Sequence, residues 1–123
     1  MQMAIIEFAR NRLKIKDATS SEFDTRGTSI VGLMNEWDKD GKKVKGTNKD
    51  LGGTMRLGSY DAKLKENSFI RKIYKSKTIK ERHRHRYEVN ISYKEKFEKN
   101  GLIFSGLSPD NSLPEIVELK NHP

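Results

Sequence analysis

The sequence predicts a mixed domain, α/β or α+β, on three observations. Helix-spaced and strand-like apolar segments are interleaved along the chain, in the order helix, strand, strand, helix, strand, helix, strand, strand. The 123 residues are one domain's worth and are long enough to bury a core. Charged residues make up 34% of the chain, yet five Phe, four Tyr and one Trp remain to fill that core.

Residues 1–13 read as a helix whose inner face carries Met1, Ile5, Phe8, Ala9 and Leu13. Residues 17–28 are polar and read as a loop. Residues 29–37 read as a strand, apolar on both faces at its start, which suits a central position. The stretch 38–50 has turn chemistry at Asp40-Gly41 and almost no apolar residue, so a mobile hairpin or lid is expected there. Residues 51–64 hold Gly52, Gly53 and Gly58 and read as irregular strand and turn, with the glycines marking a tight crossing of strands. A short helix is expected over 68–74 with Ser68 as its N-cap. Residues 78–90 end as a strand. Residues 93–100 form a short amphipathic helix, closed by Gly101. Strands follow at 102–107 and 115–119, joined by the turn at 108–112. The chain opens inside an apolar helix and stops just after a strand, so both ends read as those of an incomplete domain.

Composition removes several functions. No apolar run approaches the ~20 residues of a membrane-spanning helix, and the N-terminus lacks the pattern of a secretory signal. Cysteine is absent, which excludes a disulfide scaffold, a thiolate zinc site and a cysteine nucleophile within these residues. A cytoplasmic location is expected. The net charge of +8 invites a nucleic-acid reading. The basic residues are dispersed from Arg10 to Lys120 among Asp and Glu, however, which is the pattern of a solvated surface rather than of a binding patch.

Residues 81–90, ERHRHRYEVN, are the densest chemical feature. On a continuous strand, Arg82, Arg84, Arg86 and Glu88 share one face, and His83, His85 and Tyr87 the other. Four readings stand side by side: a zinc site built on His83 and His85, an arginine patch for phosphate or nucleic acid, a bidentate carboxylate clamp, and a solvated edge strand. From composition alone the solvated strand leads. Glu22 lies in a Ser/Thr-rich loop; beside an Arg it completes a pair suited to a zwitterion, with Glu on an α-ammonium and Arg on an α-carboxylate. Neither phosphate-loop fingerprint occurs around the glycines, and no G-x-S-x-G elbow occurs anywhere.

The ordered segments Met1-Gln2, FARN at 8–11, SSEF at 20–23, LMNEW at 33–37, DLGGTMRLG at 50–58, ERHRHRYEVN at 81–90, Ser105-Gly106 and EIVELKNHP at 115–123 cover nearly the whole chain. On them the chain resembles an internal part of the class I glutamine amidotransferase domain of the CTP synthase family. The resemblance implies an α/β fold with an open, mostly parallel sheet and flanking helices. It implies an enzyme that makes CTP from UTP, ATP and glutamine-derived ammonia, using magnesium, with GTP as activator and a homo-oligomeric state. By the same resemblance, Gln2, Glu22, Arg86 and Tyr87 contact L-glutamine: Glu22 its α-amino group and Arg86 its α-carboxylate.

The family's nucleophilic Cys sits in a C-L-G-M-Q stretch, which falls before Met1. Its catalytic His and Glu sit in an F-H-P-E-F stretch, downstream of the N-H-P at 121–123, so His122 matches a different histidine. The resemblance therefore assigns no catalytic residue, no metal ligand and no cofactor site to this chain. It implies a partial domain over 1–123, inactive alone and acting with the remainder of the synthase. The stretch 38–50 diverges from the family pattern, so the resemblance does not carry the GTP response over to it. The alternatives are a noncatalytic binding module that complements a separate Cys-bearing fragment, and a basic nucleic-acid binder.

Overall fold

A computed structural model describes residues 1–33, 38–39, 42–43, 56–120 and 122. Helix α1, Gln2–Asn11, buries Ile5, Ile6, Phe8 and Ala9. Met1 was expected on that inner face but is 45% exposed; it precedes the first turn and so lies off the packed stripe. The expected loop at 17–28 contains a strand, β1 (Ala18–Ser20), with all three residues buried. Its short polar side chains carry no hydrophobic periodicity, and burial comes from its parallel pairing with β2, Thr28–Leu33. Arg10 Nε donates to the Ala18 carbonyl at 2.7 Å and ties α1 to β1.

Two-residue strands β3 (Asp38–Lys39) and β4 (Lys42–Lys43) pair antiparallel, Asp38 with Lys43 and Lys39 with Lys42. The rest of the expected lid lies outside the described residues. So do residues 34–37 of the expected central strand, and Gly52 and Gly53.

Strand β5, Arg56–Leu64, is longer and more regular than the glycine content suggested. Gly58 holds φ +107 within it, and a side chain there would meet no atom within 4 Å. Its glycine answers a backbone angle, not a close crossing of strands. Helix α2, Phe69–Tyr74, starts at the expected cap: Ser68 Oγ accepts from Arg71 N at 3.3 Å. Strand β6, Thr78–His85, follows, then a bend at Arg86, then β7, Tyr87–Val89. After a 3₁₀ turn, Ile91–Tyr93, helix α3 (Lys94–Lys99) buries Phe97 between the rings of Phe8 and Phe104, both centroids 5.8 Å away. Gly101 follows it at φ +96. Strands β8 (Leu102–Leu107) and β9 (Pro114–Leu119) complete the order.

The strands form a sheet β1-β2-β7, the β3-β4 pair and a sheet β6-β5-β8-β9. The central position expected for β2 is the one it takes. The expectation of a mostly parallel sheet needs correction: among the described residues β1–β2 is parallel, and the other paired strands are antiparallel. For β8 and β9 the connection explains it. A parallel neighbour needs a long crossover, whereas the short loop at 108–113 returns β9 directly beside β8. The main core packs α1, α3, β2, β7 and β8 around Ile5, Phe8, Ile30, Val31, Val89, Phe97 and Phe104. A smaller cluster of Ala62, Leu64 and Ile79 lies within the four-stranded sheet.

Candidate functional site

The three-stranded sheet sets the site. Because β1 and β2 run parallel, their C-terminal ends share one edge. Strand β7 is antiparallel to β2 with Leu33 opposite Tyr87, so it begins at that same edge. Glu22 lies two residues past the end of β1, in a turn where its backbone N–H donates to Ser20 Oγ at 3.3 Å and Phe23 N donates to the Ser20 carbonyl at 3.0 Å. Arg86 is the bend that leads into β7. Thus Glu22 and Arg86, far apart in sequence, lie at one sheet edge. The carboxyl ends of parallel strands are where ligands bind in open α/β sheets.

Gln2 and Tyr87 meet at this edge as well. At the N-terminus of α1, the Gln2 side chain donates to the Tyr87 carbonyl. Tyr87 packs its ring against the main core, Glu22 is exposed and Arg86 is half-buried. The edge therefore presents one anion, one cation, a side-chain amide and an aromatic ring within reach of solvent. That set suits a small zwitterion.

Behind the edge lies a buried charged cluster that sequence reasoning missed in part. Arg56, at the start of β5, is 6% exposed. Its Nη1 lies 3.4 Å from Glu88 Oε1, its Nη2 lies 2.6 Å from Glu115 Oε1, and its guanidinium sits 4.5 Å over the Tyr60 ring. His83 Nε2 lies 3.1 Å from Glu115 Oε2, and His83 Nδ1 lies 3.3 Å from His85 Nε2. His85 Nδ1 reaches the Tyr87 carbonyl at 3.1 Å and Glu88 Oε1 at 3.4 Å. Residues from β5, β6, β7 and β9 are joined in this way.

Glu88 was expected among the solvated arginines, yet it is 1% exposed. The bend at Arg86 interrupts the alternation, so β7 does not continue the faces of β6. Arg82 and Arg84 are exposed and His83 is buried, as the alternation required. Burial pushes the Glu88 carboxyl above its ordinary range, opposed by the charges of His85 and Arg56. Burial likewise lowers His83, with Glu115 pulling the other way.

His83, His85 and Glu88 offer ligand atoms within 4.8 Å of one another. Each is already engaged, by a second imidazole, by a backbone carbonyl or by the Arg56 guanidinium, and that guanidinium opposes a cation. Hydrogen bonds join His83 to His85 and His85 to the Tyr87 carbonyl, and Glu115 lies in ion-pair contact with Arg56 and His83. The signal for it in the sequence was two histidines alternating with arginines; Arg56 and Glu115, distant in sequence, gave none. Among the described residues no helix is long and apolar enough to cross a membrane.

Comparison with known proteins places these features in a family. The family described as glutamine amidotransferase class-I matches residues 1–123. The CTP synthase of Pelagibacter ubique is 80% identical over all of this chain, and that of Hyphomonas neptunium is 57% identical. The chain spans 23% of the length of each of these relatives. Among solved structures, the Trypanosoma brucei CTP synthase glutaminase domain with bound acivicin superposes with a TM-score of 0.72 at 33% identity, over 98% of this chain and 42% of that one.

Proposed function

The chain belongs to the class I glutamine amidotransferase family, and from that premise we propose that it forms the glutamine cradle of a CTP synthase. Glu22 takes the substrate's α-ammonium and Arg86 its α-carboxylate, while Gln2 and Tyr87 line the space between. The observation that supports this is the shared edge: the order β1-β2-β7 brings the segments of Glu22, Arg86 and Tyr87 to the carboxyl end of one parallel strand pair, and α1 brings Gln2 to the Tyr87 carbonyl.

The chemistry follows from the charges. Free glutamine differs from a glutamine side chain in a protein by its two α-charges, so a paired anion and cation select the free amino acid. The pair also fixes the carbon chain, which leaves the amide as the only group able to extend toward a nucleophile. The sequence holds no cysteine, so the thiolate that attacks the amide is supplied from outside these 123 residues. We assign this chain no catalytic residue and no metal. In the full reaction, ATP with magnesium activates UTP, the released ammonia aminates it, and GTP promotes glutamine hydrolysis. Those sites belong to the remainder of the synthase, which acts as a cytoplasmic homo-oligomer.

A chimera tests this reading. Replacing the matching segment of the Pelagibacter ubique CTP synthase with this chain is expected to preserve CTP formation from glutamine. A chimera that folds and uses ammonia, yet makes no CTP from glutamine, contradicts it.

A further inference from the structure

The Tyr87 carbonyl has two side-chain partners: Gln2 Nε2 from α1, and His85 Nδ1 from β6 at 3.1 Å. A carbonyl only accepts, so His85 carries its proton on Nδ1. Its Nε2 lies 3.3 Å from His83 Nδ1. The other ring nitrogen of His83, Nε2, lies 3.1 Å from Glu115 Oε2.

The cluster adjoins the residue proposed to hold the glutamine carboxylate. Arg86 is the single bend residue between His85 and Tyr87, and the sheet changes there from β6-β5-β8-β9 to β1-β2-β7. The peptide that joins Arg86 to Tyr87 has no strand ladder of its own on the β6 side, so its orientation depends on what holds its neighbouring carbonyl. We propose that His85 is a positioning residue for glutamine. Its Nδ1–H fixes the Tyr87 carbonyl and thereby aims Arg86, while His83 Nδ1 holds its other ring nitrogen. This rests on the assignment of Arg86 to the glutamine carboxylate.

The test uses the chimeric enzyme and two isosteric substitutions. The Asn amide nitrogen overlays His Nδ1, whereas the Gln amide nitrogen overlays Nε2. His85→Asn retains a donor to the Tyr87 carbonyl, and His85→Gln loses it. We expect His85→Gln to raise KM for glutamine about tenfold or more with kcat changed far less. His85→Asn should stay within about threefold of the parent, and ammonia-dependent CTP formation should persist in both. Equal KM values for the two variants overturn the proposal, whether both stay low or both rise. If His85→Gln fails to fold, His85→Asn against His85→Leu at matched ammonia-dependent rate gives the same comparison. Arg86→Ala separates the two assignments. A glutamine KM that Arg86→Ala does not move sinks the clamp itself. A KM that rises in Arg86→Ala but not in His85→Gln sinks only the positioning role.

Discussion

Arg86→Ala in the chimera is expected to abolish most glutamine-dependent CTP formation while ammonia-dependent formation continues. The guanidinium offers a planar pair of donors that match a carboxylate, and such charge-assisted contacts are the strong ones. Removing it leaves the substrate carboxylate partly desolvated and without a partner, a loss of roughly 2–4 kcal/mol. At about 1.4 kcal/mol per tenfold, kcat/KM for glutamine falls roughly 30- to 900-fold. Ammonia carries neither α-charge and bypasses the cradle, so its rate reports the integrity of the rest of the enzyme. Arg86→Lys is expected to recover only part of the loss, because an ammonium is a point charge without the planar fork. Steady-state kinetics with both nitrogen sources check this. Equal loss with both in a folded protein contradicts the assignment.

Arg56→Ala is expected to be the most destabilising single change in the chain. It strands two buried carboxylates, Glu88 and Glu115, whose side chains are 1% and 2% exposed. Breaking a buried pair by removing one partner costs about 3–5 kcal/mol, a large part of a typical domain's total stability. The pH dependence has a definite sign. Burial already raises Glu88 above its ordinary 4.5, and Arg56 is one of the charges that restrain the rise. Without Arg56 the folded value climbs further, so the native state binds more protons than the unfolded one across the window from 4.5 up to that raised value. Stability then falls as pH rises through this window. Thermal unfolding of Arg56→Ala should show its largest deficit at neutral pH and a smaller one near pH 5. A deficit that grows on acidification contradicts the burial of these carboxylates.

The helices were legible because their signals are local. The 1–13 apolar stripe, Ser68 as a cap and Gly101 as a stop each act within a turn of the chain, and α1, α2 and α3 follow them. Strand β1 was not legible, since Ala18, Thr19 and Ser20 are buried by pairing with a strand that lies beyond a polar turn. Glu88 was misplaced for a related reason. A period-two pattern extrapolates through Arg86, and only the change of sheet at that residue turns β7 the other way. The clamp pair sat between these cases. Glu22 and Arg86 were each visible as charges of the right type, but their sharing of an edge depends on the order β1-β2-β7, which no local pattern encodes.

The proposed cradle assigns the α-ammonium of glutamine to Glu22 and its α-carboxylate to Arg86. Two truncated substrates test it directly as competitors of glutamine in the chimeric enzyme. Glutaramate lacks the α-amino group, and 4-aminobutanamide lacks the α-carboxylate. The parent chimera should bind glutamine more tightly than either. Glu22→Ala is expected to erase the preference over glutaramate and to keep the preference over 4-aminobutanamide; Arg86→Ala is expected to do the reverse. Substitutions that weaken all three ligands equally, or a crossed pattern in which each residue governs the other's charge, would contradict the assignment.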